Sequence, residues 1–190
     1  MAATMKVYFD FGGSNGSPGT QQDTTSLGPP NLRFKRADNA TIDSNNPCTI
    51  PPSGTSYSRW KQIYLYCSVA PSSQINNVRF YTDGTGFGTG ITVKVGLQFP
   101  TKNSGSSAGY EVADTDDEEL VAGHGGITSS ADAFGYTEGS PLSVTISEGD
   151  SVINGVGDTC NYVALQMEIV STASPGDLNN EQFTFKYDEI

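Results

Sequence analysis

RWKQIYLYC, residues 59–67, carries the pattern that decides the fold of this chain. If the segment is an extended strand, its apolar side chains and its tyrosines point to opposite sides: Ile63, Leu65 and Cys67 against Tyr64 and Tyr66. Such alternation is typical of antiparallel sheets with one buried and one wet face. The same period of two recurs in NNVRFYTDG (76–84), GITVKVGLQF (90–99) and PLSVTISE (141–148).

The alternating runs and the turn-rich segments between them predict an all-β protein. We expect roughly eight strands, near 5–11, 31–36, 58–67, 77–83, 90–99, 141–148, 161–171 and 181–188. A chain of 190 residues with this pattern fits one domain, residues 1–190, folded as a single antiparallel β-sandwich. A jelly roll is the favoured topology, and an immunoglobulin-like sandwich is the alternative. Long loops are expected near 12–30, 37–57 and 100–140, where contacts with other molecules concentrate.

Three connections read as hairpins in the sequence. SSQINN (72–77) separates the strand of Trp60 from that of Val78, and the glycines of GTGFGTG (84–90) suit a tight turn. A phosphate-binding loop is excluded there, because a strand and not a helix follows it. The closing residues 161–190 predict a third hairpin with two apolar faces that fill the core: Val163, Leu165, Met167 and Ile169, then Phe183, Phe185 and Tyr187.

The charge is unevenly distributed along the chain. Residues 1–95 hold 8 Lys/Arg and 5 Asp/Glu, about +3, and residues 96–190 hold 2 and 16, about −14. This excess of acid argues against binding to nucleic acid phosphates and favours a solubilising surface. A second interpretation is a basic face for an acidic neighbour, which includes the acidic half of another copy, formed by Arg33, Lys35, Arg36, Arg59 and Lys61. The N-terminal residues lack the pattern of a signal peptide, so we expect assembly in a cytoplasm and no membrane role.

Several aromatic side chains share the face of the strand opposite Ile63. Tyr64 and Tyr66 lie on it, Trp60 is in phase with them, and Tyr81 is a further candidate. Such a stripe can stack on carbohydrate rings, or it can be covered by a loop or a second subunit. Cover by protein is favoured.

Residues for catalysis or metal binding are sparse. The single histidine, His124, has no nucleophile motif beside it, so we expect a loop histidine and no enzyme. The acidic run ADTDDEEL (113–120) offers weak calcium ligands in Asp114, Asp116, Asp117 and Glu118, but it fails the EF-hand pattern and is better explained as a solvated loop. No other cofactor is expected. The three cysteines form no metal or disulfide pattern, and Cys67 is expected in the core.

Three segments resemble a known class of protein: GPPNLRFKRAD, SRWKQIYLYCSVAPSSQINNVRFYTDG, and ALQMEIV with FTFKYDEI. With its long Gly/Ser/Thr/Asn loops, the chain resembles the jelly-roll head decoration, or cement, proteins of tailed bacterial or archaeal viruses. The resemblance implies a structural virion protein that binds the major capsid protein or other virion proteins, as a homo-oligomer such as a trimer. Arg33, Lys35, Arg36, Trp60, Tyr64 and Tyr66 are the candidate partner-binding residues. A carbohydrate-binding or host-attachment module and a tail-associated protein are the alternatives.

Overall fold

The computed structural model describes residues 2–27, 32–42, 44–97, 102, 110–113, 118–124, 127–146, 151–176 and 178–190. Within these residues ten strands form two antiparallel sheets, which confirms the predicted all-β sandwich. The strands are β1 (Thr4–Phe11), β2 (Thr20–Asp23), β3 (Thr55–Tyr57), β4 (Lys61–Val69), β5 (Ile75–Thr82), β6 (Ile91–Leu97), β7 (Ser129–Asp132), β8 (Leu142–Ser143), β9 (Val163–Val170) and β10 (Phe183–Glu189). Two short 3₁₀ turns cover Thr24–Leu27 and Ala133–Gly135. In the described part of the chain, no helix has the length and hydropathy to cross a membrane.

The larger sheet has seven strands and the smaller has three. Six strands of the large sheet lie in the order β2-β1-β4-β9-β6-β7, and β3 pairs with β9 beyond the start of β4. Tyr57 faces Glu168 and Lys61 faces Leu165, so β3 and β4 share one edge of β9. The small sheet has the order β10-β5-β8. β9 is therefore the central strand of the molecule.

This strand order contains most of a jelly roll. In an eight-stranded jelly roll the first, eighth, third and sixth strands form one sheet in that order, and the second, seventh, fourth and fifth form the other. In the large sheet, the order β4-β9-β6-β7 corresponds to the first, eighth, third and sixth strands of a jelly roll. In the small sheet, the pair β5-β8 corresponds to the second and seventh strands. No described residues form a strand in the fourth and fifth places. β1 and β2 extend the large sheet beyond β4, and β10 extends the small sheet beyond β5.

The three hairpins expected from the sequence are absent. β4 and β5, β5 and β6, and β9 and β10 each belong to opposite sheets, so the chain crosses between sheets at each of these connections. The physical reason is burial: consecutive strands in opposite sheets turn their apolar faces toward each other across the core. Only β1–β2 and β6–β7 are sequence neighbours that also pair.

Several strand positions also differ from the prediction. Residues 32–36 form no strand, whereas β2, β3 and β7 lie in segments expected to be loops. The sequences of those three strands, TQQD, TSY and SSAD, have no apolar alternation, and backbone pairing to a stronger neighbour places them in the sheet. The predicted strand at 141–148 is reduced to the two residues of β8, and residues 147–150 lie outside the described part of the chain.

The main core lies between the two sheets. Ile63, Leu65 and Cys67 of β4 are buried on this face, as the alternation predicts, and Cys67 forms no disulfide. Phe80 of β5 is fully buried, and its ring centroid lies 6.1 Å from that of Phe183 and 5.5 Å from that of Phe185. Val163 and Leu165 of β9 therefore share this core with Phe183, Phe185 and Tyr187, from the opposite sheet.

The opposite face of the large sheet is buried as well, in contrast to the expected wet face. Gln62, Tyr64 and Gln166 point outward from the sandwich, yet each is 2% exposed or less. Residues 110–113 and 118–124, here named the covering segments, lie on this face and make hydrogen bonds to the side chains of Gln62 and Gln166. The Gln166 carboxamide donates to the Ser58 carbonyl at 2.9 Å and the Glu118 carbonyl at 2.6 Å, and accepts from the Leu120 amide at 2.6 Å.

Because Gln166 satisfies three buried backbone groups, its replacement should be costly. We expect Gln166→Met to lower the free energy of unfolding by roughly 2–4 kcal/mol, since each partner would lose its hydrogen bond in a dry environment. Hydrogen exchange at the Leu120 amide should accelerate beyond the global change. Gln182→Met, at an exposed position, is the matched control. Equal stability of the two variants would contradict the assignment.

Loss of β10 should unfold the protein. Removal of residues 183–190 would expose Phe80 and leave β5 at the edge of a two-stranded sheet, which is marginal in water. We expect the truncated protein to show no cooperative thermal transition by circular dichroism. Lys186→Ala, on the exposed side of the same strand, should keep it. A truncated protein that melts cooperatively would make β10 a dispensable strand.

Candidate functional site

The large sheet extends past the small sheet at one end of the sandwich. Met167 and Ile169 of β9 and Ala173 form a second hydrophobic cluster there, separate from the main core. The residues packed against it, Phe34, Cys48, Phe87 and Ile91, come from loops or from the large sheet. Among the described residues, loop side chains such as Phe34, Cys48 and Phe87 therefore provide most of the cover of the sheet's apolar face at this end.

A cavity of about 1180 Å³ occupies this end of the sandwich. Its floor is the inner face of the large sheet, formed by Val7, Ile63, Ile91, Leu165, Met167 and Ile169. Its walls come mainly from the described residues of two loops, 32–35 with 44–50 and 174–176 with 178–182, and Thr24, Thr25, Phe87 and Phe183 complete the lining. We call this cavity the groove. Its volume exceeds the roughly 300–1,000 Å³ of most small-molecule pockets, and a mainly apolar lining with a few polar groups is typical of binding sites.

Apolar side chains stand exposed on the walls of the groove. Ile50 is 36% exposed and Leu178 is 37% exposed, and both line the groove. They belong to different loops, so the apolar surface of the floor continues onto both walls. An apolar surface of this kind, with a polar surround, is a common mark of an interaction site.

The basic residues of NLRFKR do not form the cationic strand face that the sequence predicts. Arg33 is exposed and lines the groove, but Lys35 is only 2% exposed. The Lys35 Nζ donates to the Thr41 carbonyl at 3.0 Å. Because this segment is not a strand, its side chains do not alternate, and Lys35 turns inward.

Lys61 is the second basic residue expected at a surface and found inside. It is 1% exposed, with its Nζ 3.5 Å from the Ala37 carbonyl and 5.9 Å from the ring centroid of Phe9. Burial lowers the pKa of its ammonium group; Asp38 opposes this shift and nearby Lys35 adds to it, and the resulting pKa is about 8. The expected basic face thus has two of its five cations in the interior.

The buried Lys61 makes stability depend on pH. Between pH 8 and the usual lysine pKa of 10.5, the unfolded chain holds a proton on Lys61 that the folded chain lacks. The unfavourable contribution of Lys61 to the free energy of unfolding therefore shrinks as the pH rises through this range. We expect Lys61→Met to raise the free energy of unfolding at pH 7 by about 3 kcal/mol at most, and this gain to decline through pH 8–10. Denaturant unfolding of both proteins across this range measures it.

Wild type must be compared with Lys61→Met at each pH, because ionisation of the buried tyrosines at high pH lowers the free energy of unfolding of both proteins. Lys186→Met, at a half-exposed ion pair, should change stability by less than about 0.5 kcal/mol. If the difference in free energy of unfolding between wild type and Lys61→Met did not change with pH, the Lys61 ammonium would not be buried as described.

The predicted aromatic stripe is covered by the protein itself. Trp60 is 5% exposed and Tyr64 is fully buried. The Trp60 Nε1 donates to the Glu118 carbonyl at 3.3 Å, and its ring lies edge-on to His124 with centroids 4.6 Å apart. Tyr66 is half-buried, with its ring edge-on to Tyr8. The covering segments thus occupy the surface on which a sugar would have stacked.

A buried carboxylate lies on the same face of the sheet, and no sequence pattern predicts it. Asp10 is 5% exposed and accepts hydrogen bonds from the hydroxyls of Tyr64, at 2.9 Å, and of Tyr162. The Lys102 Nζ lies 4.5 Å from the ring centroid of Tyr64. Burial raises the pKa of Asp10 despite these hydrogen bonds, and burial beside Asp10 raises the pKa of both tyrosines. The tyrosines therefore remain donors at neutral pH, and the cluster joins β1, β4 and the residues before β9.

A second cavity, of about 240 Å³, lies at the edge of the covering segments. Trp60 and Tyr110 line it together with Asp38, Arg59 and Gly12. The Asp38 Oδ2 accepts from the Gly12 amide at 2.6 Å and from the Tyr110 hydroxyl at 3.5 Å. Aromatic, acidic and basic groups therefore meet around a space of the size of one small polar molecule.

The acidic run is only partly described. Asp114, Asp116 and Asp117, three of the predicted calcium ligands, lie outside the described residues. The fourth, Glu118, has its Oε1 3.1 Å from the Nδ1 of His124, and Glu119 pairs with Lys94. Among the described residues no three His, Cys, Asp or Glu side chains form a group that could hold a metal ion. His124 also contacts the Val112 carbonyl at 3.1 Å, so it joins the two covering segments.

The structure divides the six candidate partner-binding residues. Trp60, Tyr64 and Lys35 are buried, Tyr66 and Arg36 are half-buried, and Arg33 is exposed beside the groove. Sequence reasoning missed the groove itself, because its floor and walls come together only through the crossing of strands between sheets. In comparisons of the chain with protein-family models, curated proteins and solved structures, nothing matched.

Proposed function

We propose that this chain is a structural virion protein, a capsid decoration or cement protein that binds and stabilises the assembled head of a tailed virus. The observation that carries the proposal is the groove, an apolar surface with exposed Ile50 and Leu178 on a jelly-roll framework. Jelly rolls are a common architecture of viral structural proteins. The groove gives such a framework a place to engage a neighbour.

The construction of the large sheet suits a mechanical role. β4 and β9 are buried on both faces, which makes the floor of the groove a rigid support. Many copies on a symmetric lattice would hold neighbouring capsid subunits together by multivalency, even if each contact is weak. The partner in this proposal is the major capsid protein or another virion protein, and the copies associate as homo-oligomers, such as trimers, at symmetry points.

Carbohydrate binding is a second candidate, supported by the smaller cavity. The covered aromatic stripe weighs against a sugar site on the sheet face, but Trp60, Tyr110, Asp38 and Arg59 still line a pocket. A glycan array with wild type and Asp38→Ala tests this candidate, with Val156→Asp as a control at an exposed site outside this cavity. Glycan binding that only Asp38→Ala abolishes would favour attachment to a host surface.

The virion proposal predicts that the protein is a component of intact particles. We expect it to co-purify with the heads of its source virus through a density gradient, at a fixed ratio to the major capsid protein, because lattice sites are fixed in number. Quantitative mass spectrometry measures the ratio, and specific antibodies should label the particles. Absence of the protein from purified particles would refute the proposal.

A further inference from the structure

We propose that His124 is a proton-dependent bridge between the two covering segments. With a proton on each ring nitrogen it bonds the segments to each other, and the loss of one proton loosens them over Trp60. The inference goes beyond the proposed function and does not rest on it, because every group involved belongs to this chain.

The imidazole ring of His124 lies between two oxygen acceptors. Its Nδ1 is 3.1 Å from the Glu118 Oε1, and its Nε2 is 3.1 Å from the Val112 carbonyl oxygen. Both distances are those of N–H···O hydrogen bonds. The two acceptors belong to different covering segments, so the ring joins them. We call His124 with these two partners the histidine bridge.

The doubly protonated ring is the form that makes both hydrogen bonds. A neutral imidazole has one N–H donor, and its other nitrogen is an acceptor. A carbonyl oxygen and an ionised carboxylate can only accept. In either neutral tautomer, a nitrogen lone pair would therefore face an oxygen lone pair at 3.1 Å, and that contact is repulsive. The geometry thus requires a positively charged ring.

The surroundings of the ring leave this charge unopposed. Glu118 is the one charged side chain in the described part of the chain that bonds to the ring. The groups that face it from the other elements, the Val112 carbonyl and the indole of Trp60, carry no charge. The His124 side chain is 13% exposed, and a partly buried ion pair is screened less by salt than an exposed one.

The bridge acts where the covering segments meet the sheet. The Glu118 carbonyl accepts from the Trp60 Nε1 at 3.3 Å and from the Gln166 Nε2 at 2.6 Å. The sheet therefore holds the backbone of Glu118 while His124 holds its carboxylate. When the ring loses a proton, one of its two bonds is lost, and the segments are no longer joined through it. Trp60 lies beneath them and is 5% exposed.

The direction of the pH dependence follows from the bonds. Both bonds exist only while the segments are in place, so protonation of the ring favours the closed arrangement. Closure is strongest near about pH 5 and weakens as the pH rises toward about 8, the range in which histidine side chains change charge. Raising the pH should therefore loosen the covering segments.

Trp60 is the reporter for the test, since the chain has one tryptophan and one histidine. A charged imidazole in contact with an indole quenches its fluorescence more than a neutral one does. We expect the fluorescence of the wild-type protein to rise in one transition between about pH 5.5 and 8. The protection factor of the Trp60 indole N–H against hydrogen exchange should fall roughly tenfold or more over the same range, because a bond to a charged group is lost.

Two variants separate the bridge from a packing role. His124→Gln cannot change its charge, so the fluorescence transition and the pH dependence of protection should both vanish. Glu118→Gln keeps an acceptor oxygen and the shape of the side chain but removes the negative charge, so both changes should move to lower pH. Glu138→Gln is the matched control at a 68% exposed ion pair with Lys186, and it should leave both unchanged.

Three outcomes would overturn the inference: fluorescence that stays constant over this pH range, protection that rises with pH, or a transition that persists in His124→Gln. If His124→Gln fails to fold, the titrations of wild type and Glu118→Gln decide the question, and equal transitions in the two proteins would refute the bridge. None of these results depends on whether the protein co-purifies with virus particles, so the two proposals can fail independently.

Discussion

The structure depends on the requirement that the two central strands, β4 and β9, be covered on both faces. One face receives the small sheet, and the other receives the covering segments. Irregular backbone can lie on a sheet face only if its N–H and C=O groups find partners. Gln62 and Gln166 supply them, because each carboxamide offers a donor and an acceptor that face the covering segments. The side chains of Gln62 and Gln166 thus form hydrogen bonds to the backbone of the covering segments, as the backbone of a neighbouring strand would.

The groove follows from the same requirement at the end where it is not met. The covering segments lie on the outer face and the small sheet covers the middle of the inner face, so among the described residues the ends of β6 and β9 are covered mainly by loops. Met167 and Ile169 are buried there by loop residues, and the packing leaves a large cavity. The cavity at this position is therefore a consequence of the large sheet extending past the small one.

The sequence was sufficient for the class of fold and for most long strands. Period-two alternation located β4, β5, β6 and β9, since these strands bury an apolar row against the opposite sheet. It could not show which strands pair, because an apolar face is equally satisfied by a hairpin partner or by a strand across the core.

The same limit applies to the polar residues. Alternation placed Tyr64 opposite Ile63 and favoured cover of that face by protein, but the pattern carries no information about which segment returns to cover it or about the hydrogen bonds that Gln62 makes there. Lys61 and Asp10 were missed for a similar reason: each sits among residues from distant parts of the chain. Two of the candidate residues, Arg33 and Lys35, line the groove, and of these Arg33 is the exposed one.

The crossing of strands between sheets has a consequence for how fast the molecule folds and unfolds. Asp10 bonds to Tyr162, 152 residues away, and Trp60 bonds to Glu118, 58 residues away, so the central contacts join residues far apart in the chain. Chains dominated by such distant contacts fold slowly, because large loops must close before any contact is gained. In the reverse direction, distant contacts that are absent from the transition state slow unfolding. A slow exchange between the two states would let each molecule persist long after its synthesis, whatever its equilibrium stability.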